Sequence, residues 1–344
     1  MSQQLRLSIL DQSPISAGFN GADALANTLD LARLADALGY HRYWVAEHHG
    51  GPMLAGPSPE ALIGPIAANT TGLRVGSGGV MLPHYSPLKV AETFSLLAGL
   101  FPGRIDLALG RAAGTDPLTT FALQRDRRQA GPDDFPEQLA ELLGYLEDRL
   151  PAEHPFARLA KTLPGRPETP QVWLLGSSDQ SAIWAADLGL PYAFADFINP
   201  RGAVIAKRYR ESFADTHRLE APLQAIGVWV LCAESSEEAE YLASSSRMAM
   251  IKLRRGELIA VPTPETAVAF LADQVRPPNG RRMVIGTGPS VRAQLEELAG
   301  QYHAIELIVV TITHDHAARR RSYELLAEAF ELHPRGELAA VLQL

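Results

Sequence analysis

Residues 73–81 read LRVGSGGVM and residues 104–109 read RIDLAL, and these two short β-rich runs flank a stretch with helical periodicity. The same alternation of strand-like and helical segments continues along the chain. It is typical of parallel sheets, because each parallel pair needs a crossover connection, usually a helix. The strands predicted in this way are 5–10, 41–46, 73–81, 104–109, 171–176, 191–197, 224–232 and 304–311. Eight strands predict an α/β fold of the (β/α)8, or TIM, barrel type that spans 1–344 as one domain.

Apolar residues at helical spacing predict the outer layer of this barrel, for example over 22–38 and 134–150. A doubly wound sheet is compatible with the same alternation. However, the glycine clusters at 76–79 and 286–288 do not fit G-x-G-x-x-G, and no phosphate-loop motif is present. Two insertions, 112–133 and 255–282, exceed a strand-helix unit and are predicted to be mobile loops or lids.

Composition narrows the class of protein. The 344 residues are 46% hydrophobic and carry a net charge of −8 from interspersed side chains. This charge distribution argues against nucleic acid as the main partner and favours an uncharged small ligand. The single cysteine, Cys232, has no partner for an internal disulfide, and neither a signal peptide nor an apolar run of bilayer length is present. We therefore expect a cytoplasmic protein that does not enter membranes.

Polar residues follow most of the predicted strands. Because the carboxyl ends of barrel strands meet at one rim, these residues should converge there. The polar strand ends are 11–13, 47–49, 110–111, 176–178, 197–199 and 311–314. The sequence thus predicts a functional site at this rim.

The run Glu47-His48-His49 ends the second predicted strand. A histidine at a strand end is more often a hydrogen-bonded structural group than a catalytic one. Adjacent residues of an extended chain point to opposite faces, so we expect one imidazole to be functional and the other structural. A functional histidine here would suit proton exchange near neutral pH.

Two features after strands four and five favour an anion. Arg111 follows Gly110 and precedes small residues, which lets a ligand approach the backbone; the alternative is a salt bridge between elements. After Gly176, a helix is predicted to begin near Asp179, where free N–H groups and the helix dipole favour phosphate. Ordinary capping by Ser178 would use the same residues. Together, the two features predict a phosphate site.

The run His314-Asp315-His316 has the spacing of a two-histidine metal site and would fit a metal-dependent hydrolase. Thr313 or Asp315 equally suits the N-cap of the helix that continues through Leu332. No second ligand set follows the other strands, so we predict no metal, and the hydrolase is the least favoured enzyme class.

Several segments resemble the luciferase-like flavin monooxygenases. Between Leu7 and Asp116 these are SILDQSPI, YHRYWVAEHH, VGSGGVMLPHYSPLKVAETF and FPGRIDLALGRAAGTD, and later segments are LLGSSDQSA, FADFINP and IGTGPSV. The resemblance covers most of the chain. It implies a (β/α)8 barrel, usually a homodimer, that receives reduced FMN from a separate NAD(P)H:flavin reductase and uses O2 to oxygenate a small organic substrate.

The resemblance also assigns residues. It implies that His48 lies at the reactive flavin edge as a candidate base, flanked by Glu47 and His49. The remaining positions are assigned to flavin binding. They are a cis peptide under the ring at Gly78 and Gly79, phosphate contacts at Arg111 and Ser178, and the neighbouring cofactor-binding residues Gly176, Ser177 and Ser181. Luciferase itself has a glutamate where this chain has Ser177 and a reactive cysteine near the flavin, so light emission is not expected.

Two alternatives remain on the same fold. The family includes enzymes that use the deazaflavin F420, so a F420-dependent oxidoreductase is the runner-up. A barrel can also retain a flavin after losing its chemistry, which leaves a non-catalytic flavin-binding relative. The predicted substrate-pocket lining is Tyr85, Phe197, Asn199 and the segment 255–282.

Overall fold

The structure is a computed structural model that describes residues 5–124, 127, 133–274 and 281–334. Its strands all run parallel to their neighbours in one sheet. They are β1 (Arg6–Asp11), β2 (Arg42–Val45), β3 (Arg74–Met81), β4 (Ile105–Gly110), β5 (Gln171–Gly176), β6 (Tyr192–Ala195), β7 (Gln224–Cys232), β8 (Met283–Gly286) and β9 (Glu306–Val310).

Eight of these strands close into a barrel. Strands β1 to β7 pair in chain order, β7 then pairs with β9, and β9 pairs with β1. The closing pair aligns Arg6 with Glu306 and Ile9 with Val309. The predicted (β/α)8 barrel is therefore confirmed, and each predicted strand overlaps an observed one.

The sequence prediction missed strand β8. The long strand β7 pairs through 224–227 with β6 and through 229–232 with β8, so β8 lies beside the barrel rather than within the ring. Only four residues form β8, and it follows directly on 255–282, where the sequence predicts a loop. A strand this short gives little periodicity from which to recognise it.

Helices cover the outside of the barrel. They are α1 (Gly21–Leu38), α2 (Pro59–Ala68), α3 (Pro87–Leu100), α4 (Pro117–Leu123), α5 (Phe135–Glu147), α6 (Ala157–Ala160), α7 (Asp179–Asp187), α8 (Ala203–Glu211), α9 (Ser236–Arg254), α10 (Pro264–Leu271), α11 (Gly288–Tyr302) and α12 (His316–Ala329). Helices α1 and α5 match the predicted 22–38 and 134–150. Along the described ranges, we find no helix with the length and apolarity needed to cross a membrane.

The two predicted loops are more structured than expected. The segment 112–133 contains α4, and 255–282 contains α10 together with Val261, which bridges to Ser16. Residues 125–126, 128–132 and 275–280 of these segments lie outside the described residues. Whether either segment acts as a lid stays a prediction.

Two apolar layers result from the alternation of side chains along each strand. The larger layer lies between strands and helices and includes Leu107, Phe194 and Val309. The smaller fills the barrel interior and includes Trp44 and Trp173, whose rings meet edge to face. A filled interior means that only the two ends of the barrel can accept a ligand.

A buried ion network fills the amino-terminal end of the barrel. The Arg42 guanidinium donates to Asp106 and to Glu306, each at 2.6 Å, and lies 4.6 Å from the centre of the Trp173 ring. Trp44 Nε1 donates to Asp106 at 3.0 Å. Because these groups satisfy one another, this end is closed by structural contacts, which directs the search for a site to the opposite rim.

Candidate active site

Glu47 is fully buried just beyond the end of β2. Its Oε2 accepts the backbone N–H of Met81 at 2.9 Å, and its Oε1 lies 2.8 Å from His49 Nε2. One carboxylate thus links the carboxyl ends of β2 and β3 and orients one imidazole. The His49 ring also meets the His84 ring edge to face, with 5.8 Å between the ring centres.

His48 differs from its neighbour. Its backbone N–H donates to Gly56 at 2.9 Å, but its ring Nδ1 is buried and has no partner within the described chain. Burial, followed by the nearby His49, lowers the pKa of His48 to about 4. The ring is therefore neutral at pH 7 and offers an unused nitrogen. This nitrogen is therefore available for a hydrogen bond to a water molecule or a ligand.

Two further acidic and phenolic groups surround Glu47, and the sequence analysis did not assign them to this cluster. Burial raises the pKa of the Glu60 carboxyl, and the nearby Glu47 raises it further; Glu60 Oε2 has no partner in the described chain. Burial likewise raises the pKa of Tyr85, and the nearby carboxylates of Glu47 and Glu60 raise it further. Glu60 lies in the first turn of α2. From sequence alone, an acidic residue at this position indicates only the start of a helix.

The peptide bond between Gly78 and Gly79 is cis, as the resemblance implies, and β3 bulges between Gly78 and Val80. A Cβ at Gly78 would lie 2.6 Å from Leu10 Cδ1, and one at Gly79 would lie 2.6 Å from the Ala108 carbonyl oxygen. Larger side chains therefore do not fit at either position. Glycine at these two positions lets β3 pack closely against its neighbours at this level of the barrel.

Arg111 follows β4 and is half exposed. Its Nη2 donates to Asp133 at 2.8 Å, and its guanidinium lies 5.6 Å from the centre of the Trp184 ring in α7. Asp133 is mostly exposed, so this ion pair is weak and can be exchanged for a stronger anion. The predicted alternative, a salt bridge between elements, is present, but it leaves the other guanidinium donors available.

The start of α7 is the second part of the predicted phosphate site. The helix begins at Asp179 as predicted, and Ser178 is its N-cap residue, yet the Ser178 hydroxyl accepts no hydrogen bond from the first turn of this described helix. Ser181 Oγ instead donates to the Ser178 carbonyl at 2.8 Å and lies 2.9 Å from the Tyr192 hydroxyl. The expected alternative, ordinary capping by Ser178, is therefore wrong.

Gly176 and Ser177 shape the approach to this helix. A Cβ at Gly176 would overlap the Ser181 side chain, so only glycine fits there. Asn199 Nδ2 donates to the Ser177 carbonyl at 3.0 Å, which ties the end of β6 to the turn before α7. An uncapped helix start, with N–H groups and serine hydroxyls at hand, fits a phosphate group. Strands β4 and β5 are direct neighbours, so Arg111 and this turn follow adjacent strands.

Some predicted rim residues are structural. Asp11, at the end of β1, is buried; its Oδ1 accepts from Arg319 at 2.6 Å and its Oδ2 accepts from Tyr43 at 2.5 Å. Burial raises the pKa of Asp11, but the charge of Arg319 and these hydrogen bonds outweigh burial and lower it. Asp11 therefore joins β1 to α12 and β2 and is not available to a ligand.

The His314-Asp315-His316 run does not gather its imidazoles on one point. His314 Nε2 lies 3.0 Å from the Ala17 carbonyl oxygen, and His316 Nε2 lies 2.9 Å from Asp30. Asp315 caps α12 by accepting from Ala318, so the predicted N-cap is confirmed. Within the described ranges, no group of three potential metal ligands is present.

Cys232 is buried at the end of β7, and burial raises the pKa of its thiol to about 12. Its backbone N–H donates to Ser322 at 2.9 Å, and its side chain belongs to the outer apolar layer. The thiol is therefore a core group and is unsuited to nucleophilic chemistry.

Solved structures share this architecture. The structure of apo-MsnO8 is 42% identical, with a TM-score of 0.88 over 97% of this chain and 99% of that chain. Two distant structures show the fold alone. The oxygenating constituent of 3,6-diketocamphane monooxygenase from Pseudomonas putida, in complex with FMN, is 19% identical, with a TM-score of 0.70 over 96% and 99%. A F420-dependent secondary alcohol dehydrogenase is 14% identical, with a TM-score of 0.67 over 95% and 99%.

Sequence comparison gives the family. The model of the luciferase-like monooxygenases matches residues 5–298. The N-acetyl-S-alkylcysteine monooxygenase of Bacillus subtilis is 40% identical over 332 residues, which are 94% of this chain and 98% of that protein. Together with the closed barrel and its polar rim, this match over most of the chain shows that the protein belongs to the luciferase-like monooxygenase family.

Proposed function

We propose that this protein is a flavin-dependent monooxygenase that uses reduced FMN and O2 to oxygenate a small organic substrate. The observation that carries the proposal is the uncapped start of α7 beside Arg111, on the same barrel rim as His48. An anion site and a neutral imidazole at one rim fit a phosphate-bearing cofactor whose reactive end lies over the barrel.

The phosphate would be held by the N–H groups at the start of α7, the hydroxyls of Ser177 and Ser178, and the Arg111 guanidinium. Ser181 orders this turn through its hydrogen bond to the Ser178 carbonyl. Arg111 lies against the Trp184 ring of α7, and a bound phosphate would replace its contact with the exposed Asp133. Charge-assisted hydrogen bonds of this kind are among the stronger protein contacts.

When bound, reduced FMN would supply the electrons that activate O2. The flavin ring would lie near the cis peptide between Gly78 and Gly79, as the family resemblance implies. On the same rim, His48 would accept a hydrogen bond through its free Nδ1 as a neutral imidazole. Glu47 acts through His49 and the Met81 N–H, holding the ends of β2 and β3 in place.

The partners follow from the same proposal. We propose a separate NAD(P)H:flavin reductase as the source of reduced FMN, a homodimer as the assembly, and the cytoplasm as the location. A F420-dependent oxidoreductase is the second candidate, supported by the shared fold of the F420-dependent alcohol dehydrogenase. Comparing the affinities for FMN and F420 separates the two.

The test of the cofactor is a titration of the purified protein with oxidised and reduced FMN, followed by fluorescence. Arg111→Ala should weaken FMN binding by about tenfold or more, because it removes a charged contact to phosphate, and should leave riboflavin binding unchanged. The matched control is Lys207→Ala, which removes an exposed cation of α8 paired with Glu211. The proposal would be contradicted if the protein bound neither oxidised nor reduced FMN. It would also be contradicted if Arg111→Ala lost the same affinity for FMN and for riboflavin.

The test of the reaction supplies reduced FMN through a flavin reductase. The related enzyme is named for N-acetyl-S-alkylcysteine, so N-acetyl-S-methylcysteine is a suitable first substrate. Incorporation of ¹⁸O from labelled O2 into the product would support a monooxygenase. If only hydrogen peroxide forms with every substrate assayed, the non-catalytic flavin-binding alternative is favoured.

A further inference from the structure

An aromatic wall lies inside the barrel where β6 ends and β7 continues. The rings of Phe197 and Trp229 are stacked, with 5.7 Å between their centres, and both side chains belong to the interior apolar cluster. Phe197 follows the end of β6, so this wall is at the carboxyl end of the barrel, as is the candidate active site. Phe197 is partly exposed, whereas Trp229 is 6% exposed, so a ligand would meet this wall mainly at Phe197.

Arg281 lies over this wall. Its guanidinium is 5.7 Å from the centre of the Trp229 ring, and the side chain is half-buried. Arg281 precedes Met283 by two residues, and Met283 pairs with Trp229 and packs against the interior cluster. Because alternate residues of an extended chain share a face, Arg281 is on the interior side of this strand.

The neighbouring Arg282 takes the opposite side and has its partners. Its Nε lies 3.4 Å from the buried Asp196, and its Nη2 donates to the Pro200 carbonyl at 3.0 Å. For Arg281, by contrast, no hydrogen bond or ion pair to any acid is found in the ranges that the structure describes. Of two adjacent arginines, one holds the fold together and the other keeps its donors free.

The surroundings of Arg281 are cationic. Burial lowers the pKa of Arg281, and the nearby charge of Arg254, which is exposed at the end of α9, lowers it further. Arg255 follows and donates to Gln274 at 2.6 Å. A half-buried guanidinium next to a second cation is unfavourable unless an anion joins it. This local positive charge contrasts with the net charge of −8 of the whole chain.

The same wall carries an unused donor. Trp229 is 6% exposed, and its indole Nε1 has no hydrogen-bond partner among the described residues. Buried indole N–H groups usually find an acceptor. Trp229 Nε1 lacks a hydrogen-bond acceptor and Arg281 lacks a counter-ion among the described residues. A negatively charged group with several acceptor atoms would supply both.

We propose that Arg281 binds the carboxylate of an organic acid substrate, whose apolar part packs against Trp229 and Phe197. This inference names a substrate class for the site of the proposed function and therefore rests on it. A carboxylate matches the planar fork of a guanidinium, which can donate two parallel hydrogen bonds to it. The uncharged ligand favoured by the overall composition would leave Arg281 without a counter-ion.

The test compares acids with their neutral amides by calorimetry. The probes are 3-phenylpropionate with 3-phenylpropanamide, and hexanoate with hexanamide, each added to the full chain with and without saturating oxidised FMN. The wild type should bind at least one acid about tenfold or more tightly than its amide, because only the acid forms charged hydrogen bonds with the guanidinium. This preference should be lost in Arg281→Met, which keeps an unbranched apolar stem and removes the guanidinium.

The control is Arg255→Met, which removes a cation from the end of α9 that has its own partner, and it should retain the preference for the acid. Circular dichroism verifies folding; if Arg281→Met is unfolded, Arg281→Gln replaces it. The proposal is overturned if the wild type shows no preference for any acid over its amide. It is also overturned if the preference persists in Arg281→Met, or if Arg255→Met loses it to the same extent. Failure of FMN to bind overturns only the proposed function, since the acid preference is measured without FMN as well.

Discussion

Glu47 Oε1 lies 2.8 Å from His49 Nε2, and this contact separates the roles of two adjacent histidines. Glu47 fixes the ring of His49, whereas His48, one residue earlier, keeps a buried Nδ1 without a partner in the described structure. The sequence analysis expects one functional and one structural imidazole. The geometry supports His48 as the first and His49 as the second, and this assignment stays a prediction.

Glu47→Ala should destabilise the protein by about 1–3 kcal/mol, because the Met81 N–H would lose its buried acceptor. Glu47→Gln should recover much of this loss, since an amide oxygen can accept from Met81 and the amide N–H₂ can donate to a neutral His49. Urea unfolding measures both. As a surface control, Glu296→Ala breaks an exposed helix pair with Arg292 and should cost less than about 0.5 kcal/mol. Equal effects at the two sites would contradict the linking role of Glu47.

The low pKa of His48 predicts a pH dependence of stability. The folded pKa is about 4 and the ordinary value is 6.5, so the unfolded chain binds the proton first as the pH falls. Stability linked to His48 is therefore present above pH 6.5 and is lost as the pH falls towards 4. The unfolding free energy of the wild type should therefore fall when the pH is lowered from about 7 to about 5. In His48→Gln, which lacks this titrating group, the fall should be smaller by on the order of 1–2 kcal/mol.

An NMR titration of the histidine rings gives an independent measurement of His48. The ring resonance of His48 should show no titration midpoint near 6.5 in the folded protein. The same resonance should be absent from the spectrum of His48→Gln, which confirms its assignment. A midpoint close to the ordinary value would show that the ring is solvated and would remove the basis for a neutral imidazole at the flavin.

Gly176→Ala should destabilise the protein by about 1–3 kcal/mol, because the added Cβ overlaps Ser181 and forces the start of α7 to move. It should also weaken FMN binding, since that turn is the proposed phosphate site. Thermal unfolding and FMN titration measure the two effects. The matched control is Gly300→Ala in α11, where nothing lies within 4 Å of the added Cβ; it should be neutral or stabilise by about 0.5–1 kcal/mol. Unchanged FMN affinity in Gly176→Ala would argue against the phosphate site.

Arg42→Met should destabilise the barrel by about 3–5 kcal/mol, because it leaves the buried carboxylate of Glu306 without its counter-ion and Asp106 with Arg74 alone. Chemical denaturation measures this loss. The control, Arg33→Met, removes an exposed arginine that contacts only Asn69 through its described hydrogen bond and should change stability by less than about 0.5 kcal/mol. If Arg42→Met lost less than about 1 kcal/mol of unfolding free energy, the prediction would be contradicted, because water would then replace the guanidinium at the closed end of the barrel.

The sequence indicated most of the fold. The β-rich run at 73–81 and its counterparts matched barrel strands, because a parallel sheet with helices on the outside repeats its apolar pattern along the chain. Strand β8 was missed because four residues carry too little periodicity. The helices α4 and α10 were missed because prolines and polar residues surround them, which reads as loop chemistry from sequence alone.

For the candidate site, the structure confirms which strand ends are neighbours, whereas the role of each residue stays a prediction and the state of single groups could not be predicted. Arg111 and Ser178 follow adjacent strands, as barrel order requires. Asp11, equally polar and equally at a strand end, is instead bound to Arg319, which is 308 residues away. No local pattern distinguishes a strand-end carboxylate that faces a ligand from one that pairs with a distant helix.

The sequence by itself determined the closed barrel and the rim on which its polar residues collect, because strand direction fixes where every strand end lies. Only the tertiary structure decided which polar atoms are left unused. Among the described residues, these atoms include His48 Nδ1, the N–H groups at the uncapped start of α7, and the guanidinium of Arg281 over Trp229. Whether a donor is satisfied depends on atoms brought together from distant segments, and that information appears only when the chain is folded.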